Sequence, residues 1–405
     1  MRPEEEEWYI GIELGKEWTM VSYYSAGIKE PETKGLVAGS QSYRIPTALG
    51  KKRGISQWYL SEKPEGIYID HLLEKAIEAK SVEAEETYEA RELLLVFLRK
   101  VIRMVLPGKG IGAVTRCVFT VEEISEGLTE MLLTFSEMLG LKPEQVVIQD
   151  NKESFYAYAV SQEPELWLYE VALFSCEDRK VTYWEMTHDK KTTPQVSTVR
   201  EQYLGELPEE KEAKDKAFLQ MLEKTLNGRI ISAVYLVGDG FEGDWMKTSL
   251  QMICRGRRAF QGKNLYTKGA CYAGVMDVHS EKLETIYFCN YKTRKNIFLK
   301  ALDKEREYMY PLAEAGKNRY QIKKKCCILL EGEPILDVWI QHPGTKKAVI
   351  ESLELQGLEP ITGKGCRLEI QIKGSGEAGL QLLVRDIGLG KILPGSNQEW
   401  EYEVG

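Results

Sequence analysis

Apolar and polar positions alternate along this chain with a period that changes several times. Trp8 to Leu14 is nearly continuous in apolar residues, and after a turn at Gly15 the apolar run resumes through Trp18 to Tyr24. That pattern predicts a strand covered on both faces, a tight turn and a second strand, with one acid, Glu13, just before the turn. Short strand-like pieces follow between Leu36 and Tyr59, one ending in Arg44-Ile45-Pro46-Thr47-Ala48, where the proline suits an edge or a turn. From Ile67 to Leu106 the pattern is helical and acidic. It closes with Glu92 to Val105, whose Leu93, Leu94, Phe97, Leu98, Val101, Ile102 and Val105 form one broad face to lay on a sheet.

The run Gly108-Lys109-Gly110-Ile111-Gly112 reads as a linker and not as a phosphate loop, because it leads into a strand, Arg116 to Val121, where a phosphate loop would open a helix. A capping-box pattern at Thr120-Val121-Glu122-Glu123 predicts the start of a helix that Gly140 stops, with Ile124, Leu128, Met131, Leu132, Phe135 and Leu139 on its apolar face. A strand, Gln145 to Gln149, and a helix, Asn151 to Val160, come next. Leu166 to Phe174 and Val181 to Met186 then read as two strands joined through Ser175-Cys176-Glu177-Asp178-Arg179-Lys180. Strand-turn-strand units followed by helices therefore occur twice, without a repeat in the residues themselves.

A polar stretch from Thr187 to Tyr203 precedes a charged helix, Pro208 to Leu226, and a buried strand, Ile230 to Val237, that runs into Gly238-Asp239-Gly240-Phe241. Helices are expected over Trp245 to Cys254 and over the small-residue segment Asn264 to Val275. From Asn296 onward the helical period disappears. Alternating runs over Tyr320 to Leu330, Pro334 to Gln341, Lys347 to Leu355, Arg367 to Lys373 and Leu380 to Arg385, punctuated by glycine turns, predict an antiparallel β domain.

Composition narrows the classes. A chain of 405 residues, 43% hydrophobic and 29% charged, can bury sizeable cores in two or three domains. A net charge of −8 argues against nucleic-acid binding, which needs a concentrated basic face, and the basic run Lys317 to Lys325 reads as a solvated hairpin. The eight cysteines are scattered apart from the adjacent Cys326 and Cys327, as reduced buried thiols would be. No apolar run approaches a membrane span and the N-terminus is acidic, so a cytoplasmic protein without membrane contact is expected.

Two places carry candidate chemistry. A buried acid beside a glycine turn is either the tip of an ordinary hairpin or a phosphate and metal corner, in which Gly15 lets backbone approach a ligand and Glu13 holds magnesium through water. Gly238 and Gly240, delivered at the carboxyl end of a hydrophobic strand, could face a flat base or a phosphate.

Taken in order, Ile10-Gly-Ile-Glu-Leu-Gly15, Ile45-Pro-Thr47, Cys117-Val-Phe-Thr-Val121, Val234-Tyr-Leu-Val-Gly-Asp-Gly240 and Lys268-Gly-Ala-Cys-Tyr-Ala-Gly274 resemble the actin-like ATPase fold, and within it the 70-kDa heat-shock chaperone family. The tail, Leu353-Glu-Leu-Gln-Gly-Leu-Glu-Pro360, Leu368 to Ile372 and Gly379 to Asp386, is similar to the last strands of that family's β-sandwich peptide-binding domain. The resemblance implies two α/β lobes of the ribonuclease H type over 1–160 and 161–290 and a sandwich over 295–405. It further implies ATP and magnesium as candidate ligands. Glu13 and Asp150 would then be the catalytic acids, and Gly15, Lys16, Gly238, Asp239 and Gly240 the nucleotide contacts. Trp339, Leu358 and Ile361 would be loop residues touching an extended peptide or protein partner.

Several departures from the family pattern bear on function. Glu13 stands where the family places Asp, and Lys16 and Glu17 stand where it places hydroxyl residues. The second phosphate hairpin should be glycine-rich, yet Ser175-Cys176-Glu177-Asp178 holds no glycine. Phosphoryl transfer depends on backbone N–H groups cradling the phosphates, so hydrolysis is not expected there. The chain stops at Gly405 without the family's helical lid, and any bound segment should exchange fast. Three readings follow from this: a non-hydrolysing or nucleotide-sensing adaptor or pseudo-chaperone, an active chaperone-like ATPase, and a structural actin-like protein.

Overall fold

A computed structural model describes residues 2–37, 42–61, 66–280, 283–303, 306–345, 347–358, 365–375, 379–390 and 394–404. The chain divides into two units, Met1–His188 with Thr198–Leu283, and Asp189–Ser197 with Glu284–Gly405.

In the first unit the central strand is β1 (Trp8–Leu14), in which every residue from Tyr9 onward is buried. β2 (Trp18–Ser25) pairs with it antiparallel, placing Leu14 opposite Thr19, and carries both β3 (Glu32–Lys34) and the two-residue β4 (Ile45–Pro46). The segment expected to be helical from Ile67 is only partly so. It opens with β6 (Ile67–Ile69), which pairs with the earlier β5 (Leu49–Lys51), and continues through α1 (Leu72–Ile77), a small hairpin of β7 (Ser81–Glu83) and β8 (Thr87–Glu89), and α2 (Ala90–Met104). β9 (Arg116–Val121) and β10 (Val146–Asp150) add in parallel on the other side of β1. Between them lies α3 (Glu126–Leu139), and α4 (Asn151–Val160) follows β10.

The helix expected from Thr120 starts six residues later. Thr120 and Val121 are held in β9 by pairing to Glu13 and Asp150, and the cap passes to Ser125, whose Oγ accepts the Leu128 N–H at 3.2 Å.

A second sheet follows from β11 (Glu170–Glu177), β12 (Lys180–Asp189), β13 (Gln195–Glu206), α5 (Lys211–Leu226), β14 (Ile231–Val237), α6 (Thr248–Ile253), β15 (Arg258–Gly262) and α7 (Leu265–Val278). The first five strands of its order, β15-β14-β11-β12-β13, repeat the first sheet's path β10-β9-β1-β2-β3. In each, a central strand has an antiparallel hairpin partner on one side and two parallel strands on the other. The polar stretch Thr187 to Tyr203 supplies much of β13, an outer strand with exposed residues, so it shows no apolar alternation. α6 begins at Thr248 and not at Trp245, because the Asp215 carboxylate of α5 accepts the N–H groups of Thr248 and Ser249 at 2.8 and 3.0 Å.

The two faces of β1 explain its composition. Ile10, Ile12 and Leu14 enter a core with Leu94, Phe97, Leu98 and Val101 of α2 and Phe135 of α3. The other face meets α7 so closely that a Cβ on Gly11 would lie 2.2 Å from the Thr267 carbonyl oxygen. α7 in turn crosses α4 at Gly269, where a Cβ would lie 2.0 Å from the Ser154 carbonyl oxygen. The small residues of α7 are what allow these approaches.

In the second unit, residues 195–197 of β13 pair in parallel with β16 (Thr285–Tyr287). The unit then forms two four-stranded sheets from β17 (Asn296–Asp303), β18 (Arg306–Ala313), β19 (Lys323–Leu330), β20 (Ile335–Gln341), β21 (Ala348–Glu354), β22 (Cys366–Ser375), β23 (Gly379–Asp386) and β24 (Glu399–Val404). The orders are β18-β17-β20-β21 and β19-β22-β23-β24. Ile297, Leu299, Leu336, Val338 and Ile340 from one sheet and Leu368, Ile370, Ile372, Leu382 and Val384 from the other share one core. The basic run is not a solvated hairpin: Arg319 is buried in a short 3-10 turn, and Lys323 to Lys325 begin edge strand β19.

Candidate functional site

The carboxyl ends of β1, β9 and β10 lie side by side, with Glu13 opposite Thr120 and Asp150 opposite Val121. At the usual strand spacing this puts Asp150 roughly 10 Å from Glu13. Beneath them a buried polar chain links Gln149, Ser154, Thr120 and Asn151 at 2.6 to 2.9 Å. Asp150 itself caps α4, accepting the Glu153 N–H at 2.8 Å.

Glu13 faces α7, as the alternation of β1 requires, and is 4% exposed. Its Oε2 is buried without a hydrogen-bond partner among the described residues. Burial pushes its carboxyl up to about 8, against the opposing Arg44 guanidinium, with Glu177 adding to the rise. Burial likewise raises the Tyr266 hydroxyl far above its ordinary range, reinforced by the charge of Glu13. The folded chain holds the Glu13 proton until about pH 8, while the unfolded carboxyl releases it near its ordinary value of 4.5. The folded state therefore binds more protons across that window, and stability falls as pH rises through it. Chemical denaturation from pH 5 to 8 should show this decline in the natural chain and a flatter profile in Glu13→Gln. Parallel profiles would mean that Glu13 is ionised when folded.

The first turn places Gly15 with its N–H on the Trp18 carbonyl at 3.1 Å, and Lys16 exposed. Thr47 ties the Ile45-Pro46-Thr47 strand to it, its Oγ donating to the Gly15 carbonyl at 2.9 Å. Arg44, just before, carries the link between the two sheets. Its guanidinium stacks 4.4 Å from the Trp18 ring, and Nη2 donates to both carboxylate oxygens of Glu177, at 3.0 and 3.1 Å. Nη1 pairs with Asp239. Glu177 ends β11 in the glycine-free hairpin, whose two turn residues, Asp178 and Arg179, both have positive φ. That is the turn geometry in which glycine is favoured, so backbone strain is held at Arg179.

Gly238 and Gly240 lie against this hairpin. A Cβ on Gly238, which has φ of 103°, would meet the Cys176 carbonyl oxygen at 2.4 Å and Glu177 Oε1 at 2.9 Å. A Cβ on Gly240 would meet Cys176 Sγ at 2.1 Å. Both glycines thus make room for the side chains and backbone of Cys176 and Glu177. Asp239 is exposed and also pairs with Lys263 at 3.7 Å. Among the described residues no group of three or more His, Cys, Asp or Glu is placed to hold a metal ion.

The structure therefore gathers Glu13, Gly15, Asp150, Gly238, Asp239 and Gly240 around the carboxyl ends of the two sheets of the first unit. The sequence did not single out Arg44 or Tyr266; the only signal was the absence of glycine from the second hairpin. The proposed partner contacts do not form one loop cluster. Trp339 is half-buried on strand β20, with Lys300 Nζ 6.0 Å from its ring, and Leu358 packs against the sandwich core. Ile361 lies outside the described residues.

The chain thus combines a mixed α/β unit built on two sheets of like order with a β-rich unit in which two antiparallel four-stranded sheets share a core. Residues 30–290 match the C-terminal model of a family of unknown function, DUF5716, and the chain belongs to that family. Residues 292–405 match a second domain of unknown function, DUF8552. A comparison with curated proteins gives no match. Among the described residues no helix is long and apolar enough to cross a membrane.

Proposed function

We propose that this chain is a degenerate actin-like protein, related to the heat-shock chaperones, that works in the cytoplasm as a non-hydrolysing adaptor whose β unit holds a protein partner. The repeated strand order, with the polar ends of β1, β10, β11 and β14 gathered together, supports the actin-like reading. The two packed four-stranded sheets of the β unit support the chaperone-like reading of the tail.

The observation that carries the loss of activity is the Arg44 link to Glu177 and Asp239, together with the Cys176 thiol beside Gly240. A bound triphosphate would have to displace Cys176 and lie against the carboxylates of Glu177 and Asp239, with no run of backbone N–H groups to offset their charge. The residues present do not fit that group. The competing reading, an active ATPase, draws on Glu13 and Asp150 at neighbouring strand ends.

Equilibrium binding of a fluorescent ATP analogue with magnesium, followed by phosphate release, separates the two. No saturable binding and no turnover above background are expected. Turnover that disappears in Glu13→Ala would overturn the proposal, and that variant also excludes contaminating ATPases. The adaptor role is tested on the same full-length protein by titration with extended peptides, with shifts confined to residues 284–405 as the expected result.

A further inference from the structure

A cleft of about 590 Å³ opens in the second unit, lined by Asn290, Lys292, Arg294, Lys295, Arg319 and Tyr320 with apolar residues of β17, β23 and β24 behind them. Its size is that of a small-molecule site and not of a peptide groove. Four cations line it, and among the described lining residues there is no carboxylate, on a chain whose net charge is −8. Arg319 is buried and fixed in orientation: Nη1 donates to the Asn290 carbonyl at 2.8 Å, Nη2 to the Tyr320 hydroxyl at 2.9 Å, and its guanidinium lies 4.8 Å from the Tyr320 ring. The fold holds Arg319 tightly from below, because a Cβ on Gly374 would meet the Arg319 carbonyl oxygen at 2.3 Å. Nearer the mouth, Arg294 is exposed and Lys295 half-buried. Among the described residues neither makes an ion pair.

Cations crowded in a concave site repel one another, and an anion that enters relieves that repulsion while gaining charge-assisted hydrogen bonds. We propose that this cleft binds a small, multiply charged anion bearing phosphate or carboxylate groups, with Arg319 as the fixed floor and Arg294 and Lys295 as the closing contacts. The site is separate from the Arg44 region and does not depend on the adaptor reading.

The test is calorimetric titration of the full-length protein at low ionic strength with pyrophosphate and, separately, with citrate. Saturable binding of at least one probe is expected, weakened about tenfold or more in Arg294→Gln/Lys295→Gln. Both positions are at the surface, so the double variant should keep its unfolding temperature in the absence of probe. Preference for pyrophosphate assigns a phosphate ligand, and preference for citrate a carboxylate one. Absence of binding by the natural chain at millimolar probe, or equal binding by the double variant, overturns the proposal.

Discussion

Gly269→Ala should destabilise the first unit more than any other single methyl addition considered above. The new Cβ would lie 2.0 Å from the Ser154 carbonyl oxygen and 2.7 Å from its carbonyl carbon. Both belong to backbone in the middle of α4, and no rotamer change can move them aside. α4 and α7 would have to separate, and α7 also covers β1 at Gly11 and accommodates Tyr9 beside Gly274. Overpacking of a core commonly costs 1–3 kcal/mol, and with rigid backbone as the obstacle we expect about 3 kcal/mol. For a unit of this size that is a fall of roughly 10 °C in unfolding temperature. Gly127→Ala is the matched control, since it makes the same change inside α3 with nothing within 4 Å of the added carbon. There the alanine should stabilise the helix by up to about 1 kcal/mol. Equal effects at the two positions would show that α4 and α7 do not cross as closely as described.

Removing Arg44 should have the next largest effect. Arg44→Ala leaves Glu177 and Asp239 facing each other at the hairpin end, with Glu13 buried nearby and its opposing charge gone. Breaking a fully buried pair typically costs 3–5 kcal/mol and an exposed one under about 1 kcal/mol. The Arg44 side chain keeps 27% of its surface and Glu177 44%, so about 2 kcal/mol is the reasonable expectation. A double-mutant cycle with Glu177→Gln isolates the pair, and a coupling near zero would mean that the guanidinium does not tie the sheets together. Arg44→Lys should recover only part of the loss, because an ammonium cannot match the two-pronged contact with Glu177 or stack as well on Trp18. None of these changes should create nucleotide binding, since the Cys176 thiol stays beside Gly240.

Much of the local structure was legible from the chain because each signal is local. Continuous apolar residues in β1 reflect burial on both faces, the period-2 alternation of Leu368, Ile370 and Ile372 reflects one buried face, and Gly140 at φ of 92° closes α3 in a conformation that favours glycine. The recurrence of strand, turn and strand at Trp8 and again near Glu170 was visible in the same way, although β11 starts four residues later than expected. Where prediction missed, the cause was a partner distant in sequence. Thr120 stays in a strand because β1 and β10 flank it; α6 starts at Thr248 because Asp215, 33 residues earlier, caps it; and β13 is a strand by pairing, without an apolar row of its own.

The candidate site divides along the same line. Glu13, Gly15, Gly238 and Gly240 were recognisable because an acid before a turn and glycines at a strand end have local meanings. What lies beside them did not follow from those residues. A glycine records only that a Cβ would not fit, not whether a ligand or another side chain takes the space, and here Cys176 and Glu177, more than 60 residues away in sequence, take it. In the same way an arginine before Ile-Pro-Thr carries no sign of its partners. The tertiary structure alone brings Arg44 to Glu177 and Asp239, 133 and 195 residues on, because ion pairs and close packing are set by distance in space while sequence patterns report only neighbours along the chain.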